Sequence, residues 1–154
     1  MSATLRDRIN AGLKDAMKSQ SKARVSTLRL INAAIKDRVI QNRGDGKGED
    51  LGEAEILDIL ARMIKQREES RQIYEQAGRI ELAETERDEI AIIREFMPRQ
   101  LTEDEIRQAV ADIIAELGAA GLKDMGRVMA ALKERHAGSL DVAKAGAVAK
   151  ELLK

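Results

Sequence analysis

Side chains that could perform acid–base or nucleophilic chemistry are few and scattered in this sequence. There is no Cys and only one His, so disulfides, thiolate ligands and multi-histidine metal sites are excluded. His136 lies near the predicted end of a short helix, where an imidazole more often interacts with free carbonyls than acts in catalysis. Ser19 and Lys22 have the spacing of a Ser-x-x-Lys hydrolase motif, but the other parts of such a site are missing. We therefore predict no catalytic centre, metal site or cofactor.

A line of cations is the clearest binding signal. Lys22, Arg29, Lys36 and Arg43 recur every seven residues. On a helix they would drift by only about 20° per step and would cover roughly 30 Å. Lys and Arg at such positions can follow a phosphate backbone, and contacts of this kind do not depend on base sequence and weaken with salt. We name these four residues the basic stripe.

The charge of the chain is unevenly distributed, although its formal net value is zero. Residues 1–43 carry ten Lys or Arg and three Asp, which gives a net charge of +7. Residues 44–99 carry nine Lys or Arg and fifteen Asp or Glu, which gives −6. The acidic part includes a predicted helix with five acids between residues 81 and 89. The basic stripe is therefore either free for a nucleic acid or paired with that helix within the same molecule, and charge alone does not decide between them.

The composition indicates a globular helical protein of one or two small domains. Hydrophobic residues make up 44% of the 154 residues, yet Tyr74 and Phe96 are the only aromatic ones. The core must then be aliphatic, which suits close helix packing. No apolar run approaches the roughly 18 residues of a membrane span, and Asp7 and Asp15 make the N-terminus unlike an acid-poor transit peptide. These features predict a cytoplasmic protein without a membrane partner.

Helical periodicity runs through the whole chain, and no segment alternates with period two, so we predict an all-α fold. Apolar residues at three- and four-residue steps mark about four helices in the N-terminal part: Leu5–Met17, Ser21–Gln41, Glu53–Gln76 and Arg79–Glu95. A glycine-rich loop at 42–52 separates the second from the third. Three shorter helices follow; Asp124 and Asp141 are the predicted caps of the last two. In the last helix we expect four residues to face inward: Val142, Ala145, Val148 and Leu152.

The single proline marks the boundary between two predicted subdomains. Pro98 has no backbone donor and disfavours helical angles in the residue before it, so the preceding helix should end here. Thr102 and Glu105 then have the spacing of a capping box, which opens a new helix. We predict an N-terminal helical subdomain at 1–97 and a small three-helix subdomain at 98–154.

Four motifs occur in order along nearly the whole chain: Thr27-Leu-Arg-Leu-Ile-Asn-Ala-Ala-Ile-Lys36, Arg67-x-x-Ser70-x-x-x-Tyr74-x-x-Ala77-Gly78-Arg79, Phe96-Met-Pro-Arg-Gln-Leu101 and Asp124-Met-Gly-Arg-Val-Met129. Together they resemble the YqeY family, which is related to the C-terminal region of the GatB subunit of the tRNA-dependent amidotransferase. Two positions depart from the usual pattern: Met97 stands where many relatives have Leu, and Ala130 where Gly is common.

The resemblance implies an accessory module similar to the tail by which GatB holds the outer corner of tRNA. Expected partners are then tRNA, amidotransferase subunits or an aminoacyl-tRNA synthetase. The family label also implies carbon–nitrogen ligase activity with glutamine as amido donor, but the kinase-like and amidase motifs of that chemistry are missing here. The alternative is a helical protein-interaction module with no RNA role.

Two surfaces compete as the RNA contact. The resemblance implies the tail, where Lys123 and Arg127 are the cations of the last motif, whereas charge points to the basic stripe. We favour the tail from the sequence, because the acidic helix at 81–89 is available to neutralise the stripe.

Overall fold

The computed structural model describes residues 4–47 and 51–154, so Gly48, Glu49 and Asp50 of the glycine-rich loop lie outside the described residues. The described residues contain no strand, and the all-α prediction is confirmed. The chain divides into two compact units, unit 1 (Met1–Met97) and unit 2 (Pro98–Lys154). The helices are α1 Leu5–Lys18, α2 Lys22–Gly44, α3 Glu53–Gln76, α4 Ile80–Arg94, α5 Glu103–Leu117, α6 Met125–Arg135 and α7 Val142–Leu153, with a short 3₁₀ helix at Leu122–Asp124.

Helices α1 and α2 form an antiparallel hairpin in unit 1. A capping box starts α1: the Asp7 amide donates to the Thr4 hydroxyl over 3.1 Å, and the Thr4 amide donates back to the Asp7 carboxylate. Across the hairpin, the Asn32 amide donates to the Asn10 side-chain oxygen over 3.3 Å. The tight turn between the helices therefore produces a hairpin and not one long bent helix.

The core of unit 1 is aliphatic, with one aromatic side chain added. Phe96 is 7% exposed and packs beside α1, where a Cβ on Gly12 would come within 3.2 Å of its ring. Gly12 thus gives the ring room to approach the helix. The other large, fully buried side chains of this unit's core are Ile9, Leu28, Ile31, Ile35, Leu60 and Ile93.

A partly buried ion pair joins α3 to α4, which pack against each other along their length. The Arg67 Nε lies 2.8 Å from a Glu89 carboxylate oxygen, and the two side chains are only 13% and 23% exposed. The same guanidinium donates to the Met63 carbonyl over 3.1 Å. Burial, and then the neighbouring Glu89, raise the pKa of Glu86. Arg67 therefore links α3 to α4 at a surface that contains several acidic side chains.

The first helix of unit 2, α5, begins at the predicted capping box, which the structure confirms. The Glu105 amide donates to the Thr102 hydroxyl over 3.2 Å, and the Thr102 amide donates to the Glu105 carboxylate over 2.9 Å. The Arg99 guanidinium, with help from the Thr102 amide, lowers the pKa of Glu105 to about 2. Helix α5 then ends at Gly118 in the left-handed conformation, as its sequence predicts.

The three-helix packing of unit 2 surrounds a small core, and the inward face of α7 agrees with the predicted one at Ala145 and Val148 but not at Val142 and Leu152. Val142 and Leu152 are exposed, at 46% and 40%, whereas Ala149 and Leu153 are buried. Helix α7 has apolar residues on all of its faces, so the periodicity of the sequence could not show which face is turned to the core. The buried side chains of this core are Ile106, Val110, Ile113, Val128, Leu132, Ala145, Ala149 and Leu153.

Among the described residues, no helix combines the length and apolarity that crossing a bilayer requires.

Candidate nucleic-acid interface

The residues considered for catalysis make only local hydrogen bonds or none. Ser19 ends α1, and its hydroxyl donates to the Ala16 carbonyl over 3.2 Å, while Lys22 begins α2 with its side chain in solvent. His136 ends α6, and its hydrogen bonds are made by its backbone, to Leu132 and Ser139. Within residues 4–47 and 51–154, no three His, Asp or Glu side chains come together as metal ligands.

The basic stripe lies on the exposed face of α2. Lys22, Arg29, Lys36 and Arg43 are all exposed, and the opposite face of the helix is buried. In the described part of the chain, the side chains of Lys22, Arg29 and Lys36 make no hydrogen bond or ion pair. These three ammonium and guanidinium groups are therefore available to an external anion.

The acidic helix does not neutralise Lys22, Arg29 or Lys36, so the pairing considered from the sequence is wrong for these three cations. In α4, Glu89 pairs with Arg67 of α3. The paired cations of α2 are others, Arg24 with Glu95 and Arg38 with Asp58. Helix α2 packs on α4 through its apolar side, which turns the basic stripe away from the acids.

The two tail cations lie together at the start of α6, but one of them is engaged. Arg127 Nη2 lies 2.8 Å from an Asp124 carboxylate oxygen, while Lys123 is exposed. The other Asp124 oxygen accepts from the Ala120 amide over 2.9 Å. The Ala120 hydrogen bond and then Arg127 lower the pKa of Asp124. Asp124 occupies the N-cap position of α6, as predicted, but its side chain makes no capping hydrogen bond and instead ties the preceding loop to Arg127. Asp141 caps α7 through its side chain, as predicted.

A surface depression of about 670 Å³ adjoins the basic stripe, and the sequence did not reveal it. It lies at the turn between α1 and α2 and contains the first two stripe cations. The side chains that line it are Gln20, Lys22, Val25, Ser26, Arg29 and Leu30.

Gln20 occupies an unusual backbone position at the edge of this depression. Its φ is +58°, and it is the one non-glycine residue with positive φ in the described chain. Its amide donates to the Met17 carbonyl and the Ser21 amide donates to the Ala16 carbonyl, the pattern that ends helices with a left-handed residue. Glycine is the usual residue here, because a Cβ is disfavoured in this conformation. A Ser-Gln-Ser sequence carries no signal of it.

We expect Gln20→Gly to stabilise unit 1 by about 1 kcal/mol, because it relieves the left-handed strain. Urea unfolding followed by far-UV circular dichroism measures the change. Gly78 already has φ of +74° at the end of α3, so Gly78→Ala is the matched reverse substitution and should destabilise by a similar amount. A lower stability of Gln20→Gly would show that the Gln20 side chain makes contacts that outweigh the strain.

The comparison with known protein families decides what kind of protein this is. The profile of the Yqey-like protein family matches residues 6–153, which is nearly the whole chain. The chain belongs to this family. The resemblance inferred from the four sequence motifs is thus confirmed.

Three relatives that share one name match part of the chain. The chain is 32% identical to "Altered inheritance of mitochondria protein 41, mitochondrial" of Lachancea thermotolerans over 107 residues, which is 68% of this chain and 55% of that protein. It is 30% identical to the protein of the same name from Kluyveromyces lactis, over 68% of this chain and 56% of that protein. The chain therefore spans little more than half the length of these relatives.

The names of these relatives contradict the predicted cytoplasmic location, because they are mitochondrial proteins by name, as is a third from Clavispora lusitaniae at 29% identity. The prediction relied on the lack of a recognisable targeting segment. A missing signal gives no positive evidence for any compartment, and the names of the three relatives are the stronger observation.

Proposed function

We propose that this member of the family is an RNA-binding accessory module without a catalytic centre of its own, which contacts RNA phosphates through the basic stripe. The observation that carries the proposal is the free state of Lys22, Arg29 and Lys36 on the exposed face of α2. Cations seven residues apart on a helix are about 10 Å apart along its axis. Such a line can contact several phosphates of a nucleic-acid backbone.

The stripe is a better contact than the tail for an electrostatic reason. Arg127 already has a carboxylate at 2.8 Å, so a phosphate would have to compete with Asp124. Lys22, Arg29 and Lys36 have no such competitor within the described residues. We therefore propose the stripe as the principal surface and Lys123 with Arg127 as a weaker one, the reverse of the preference drawn from the sequence.

The RNA that we propose is tRNA. Support comes from the resemblance of the sequence to the tRNA-holding tail of GatB, which also suggests amidotransferase subunits or an aminoacyl-tRNA synthetase as protein partners. The chemistry of glutamine-dependent amide transfer would then reside in those partners.

A protein-interaction module is the second candidate, and one feature of unit 1 favours it. Ile73 and Ile80 flank the turn between α3 and α4 and are 64% and 56% exposed. Large apolar side chains exposed on both sides of one turn offer surface that a partner could cover.

Binding of bulk tRNA to the purified chain at several salt concentrations tests the first proposal. We expect affinity to fall linearly with salt on logarithmic axes. The double variant Arg29→Gln and Lys36→Gln should reduce that slope by about 2, since each phosphate contact contributes about 1. The matched control is Lys123→Gln with Arg127→Gln, which removes the same charge from the tail and should change the slope less.

Each result decides between surfaces or functions. If only the tail variant loses affinity, the contact surface is the tail and our choice of the stripe is wrong. If the unmodified chain binds no tRNA even at low salt, the RNA function itself is wrong and the interaction module becomes the better explanation.

A further inference from the structure

The depression beside the basic stripe is lined by apolar and hydrogen-bonding side chains in addition to the cations that would bind phosphate. Phosphate contacts require only cations, and Lys22 and Arg29 supply them at one side. The remaining lining residues are apolar or hydrogen-bonding. The depression has a volume of about 670 Å³ and is open to solvent.

The apolar part consists of two side chains on either side of the cation line. At 100° per residue, Val25 and Leu30 project on opposite sides of the direction of Arg29. Val25 is half-buried and Leu30 is 44% exposed, so both present apolar surface to solvent. A flat aromatic ring laid against Leu30, the more exposed of the two, would remove that surface from water.

The polar part consists of two side chains that have no hydrogen-bond partner in the described residues. The Gln20 side chain can both donate and accept, and so can the Ser26 hydroxyl. Gln20 is held at this edge by the strained left-handed turn of α1 and α2. Strained non-glycine residues of this kind tend to occur at functional sites.

A nucleotide combines the three features that these groups fit: a charged phosphate, a flat base face and a base edge with donors and acceptors. In an RNA duplex the base faces are stacked and the edges paired, so a protein reaches chiefly phosphates and ribose hydroxyls. In an unpaired segment the base can leave the stack and contact apolar and hydrogen-bonding groups.

We propose that the depression binds an unpaired nucleotide, with its phosphate on Lys22 and Arg29, its base against Leu30, and its edge on Gln20 and Ser26. This inference rests on the proposed RNA-binding function and adds its substrate class: the chain recognises single-stranded segments or loops and discriminates against continuous duplex.

Equilibrium binding of two RNA probes tests the inference on the full chain. One probe is an unstructured single strand, and the other is a fully paired duplex with the same number of phosphates. We expect tighter binding of the single strand by about tenfold, the size of one apolar contact plus one hydrogen bond. Leu30→Ala and Gln20→Gly should each reduce this preference several-fold while leaving the salt slope unchanged.

Ile40→Ala provides the matched control, because Ile40 is 55% exposed on the same helix but does not line the depression. It should retain the preference for the single strand. Gln20→Gly should keep or improve the stability of the fold, so its loss of affinity would not reflect unfolding.

Equal affinity for the two probes would overturn the inference and leave the RNA-binding function standing. The inference is also overturned if Leu30→Ala weakens the binding of both probes to the same extent. If neither probe binds at low salt, the proposed function fails and the inference fails with it.

Discussion

Replacing Leu132 with Ala is expected to unfold unit 2. Leu132 is fully buried among the eight core residues of this unit. Truncation of a buried Leu costs about 2–5 kcal/mol, and a core in a unit of fewer than about 70 residues rarely supplies more than about 3–5 kcal/mol. We therefore expect far-UV circular dichroism to lose the helical signal of α5, α6 and α7 at temperatures where the unmodified chain is folded.

Tyr74 makes this prediction specific for one unit. It is the only Tyr in a chain without Trp, and it lies on α3 in unit 1, so tyrosine fluorescence reports that unit alone. Because unit 1 has a core of its own, its urea transition should be retained in Leu132→Ala. Leu122→Ala, at a residue that is 50% exposed in unit 2, is the control and should change stability by less than about 0.5 kcal/mol. Independent folding of residues 98–154 remains a prediction. It would be refuted if the tyrosine fluorescence and the circular dichroism signal of Leu132→Ala were lost together in one urea transition.

Replacing Phe96 with Ala should destabilise unit 1 by about 3–5 kcal/mol, the usual range for a buried aromatic residue. The ring lies against the backbone of α1 at Gly12, and the Arg8 guanidinium carbon lies 5.9 Å from its centroid. Because helix backbone on one side of the resulting cavity cannot easily move into it, the loss of stability should be near the upper end of this range. The urea midpoint of the Tyr74 fluorescence transition measures the loss.

The control for this experiment is Ile73→Ala in the same unit, since Ile73 is 64% exposed. It should shift the midpoint little. A change of less than about 1 kcal/mol for Phe96→Ala would mean that the ring is not an essential part of the core, and it would remove the physical reason for glycine at position 12.

The helices and most of their ends could be predicted from the amino-acid sequence. Helix α3 begins at Glu53 and ends at Gln76, as its periodicity and the following Ala77-Gly78 predict. The capping box of Thr102 and the Asp141 cap were also predicted and are present. Each of these features depends on residues within four positions of one another, so it is encoded locally in the chain. The four motifs likewise sufficed for the family.

Only the packing of the folded chain shows which charged side chains lack an ion-pair partner. The sequence shows a basic stripe and an acidic helix, but whether they meet depends on the rotation of α2 and α4 about their axes, which packing of Leu28, Ile31 and Ile35 sets. The partner of Glu89 is Arg67, 22 residues away, and the depression joins a strained turn to one face of α2. Long-range pairings of this kind follow from how apolar faces fit together, and no local spacing encodes that fit.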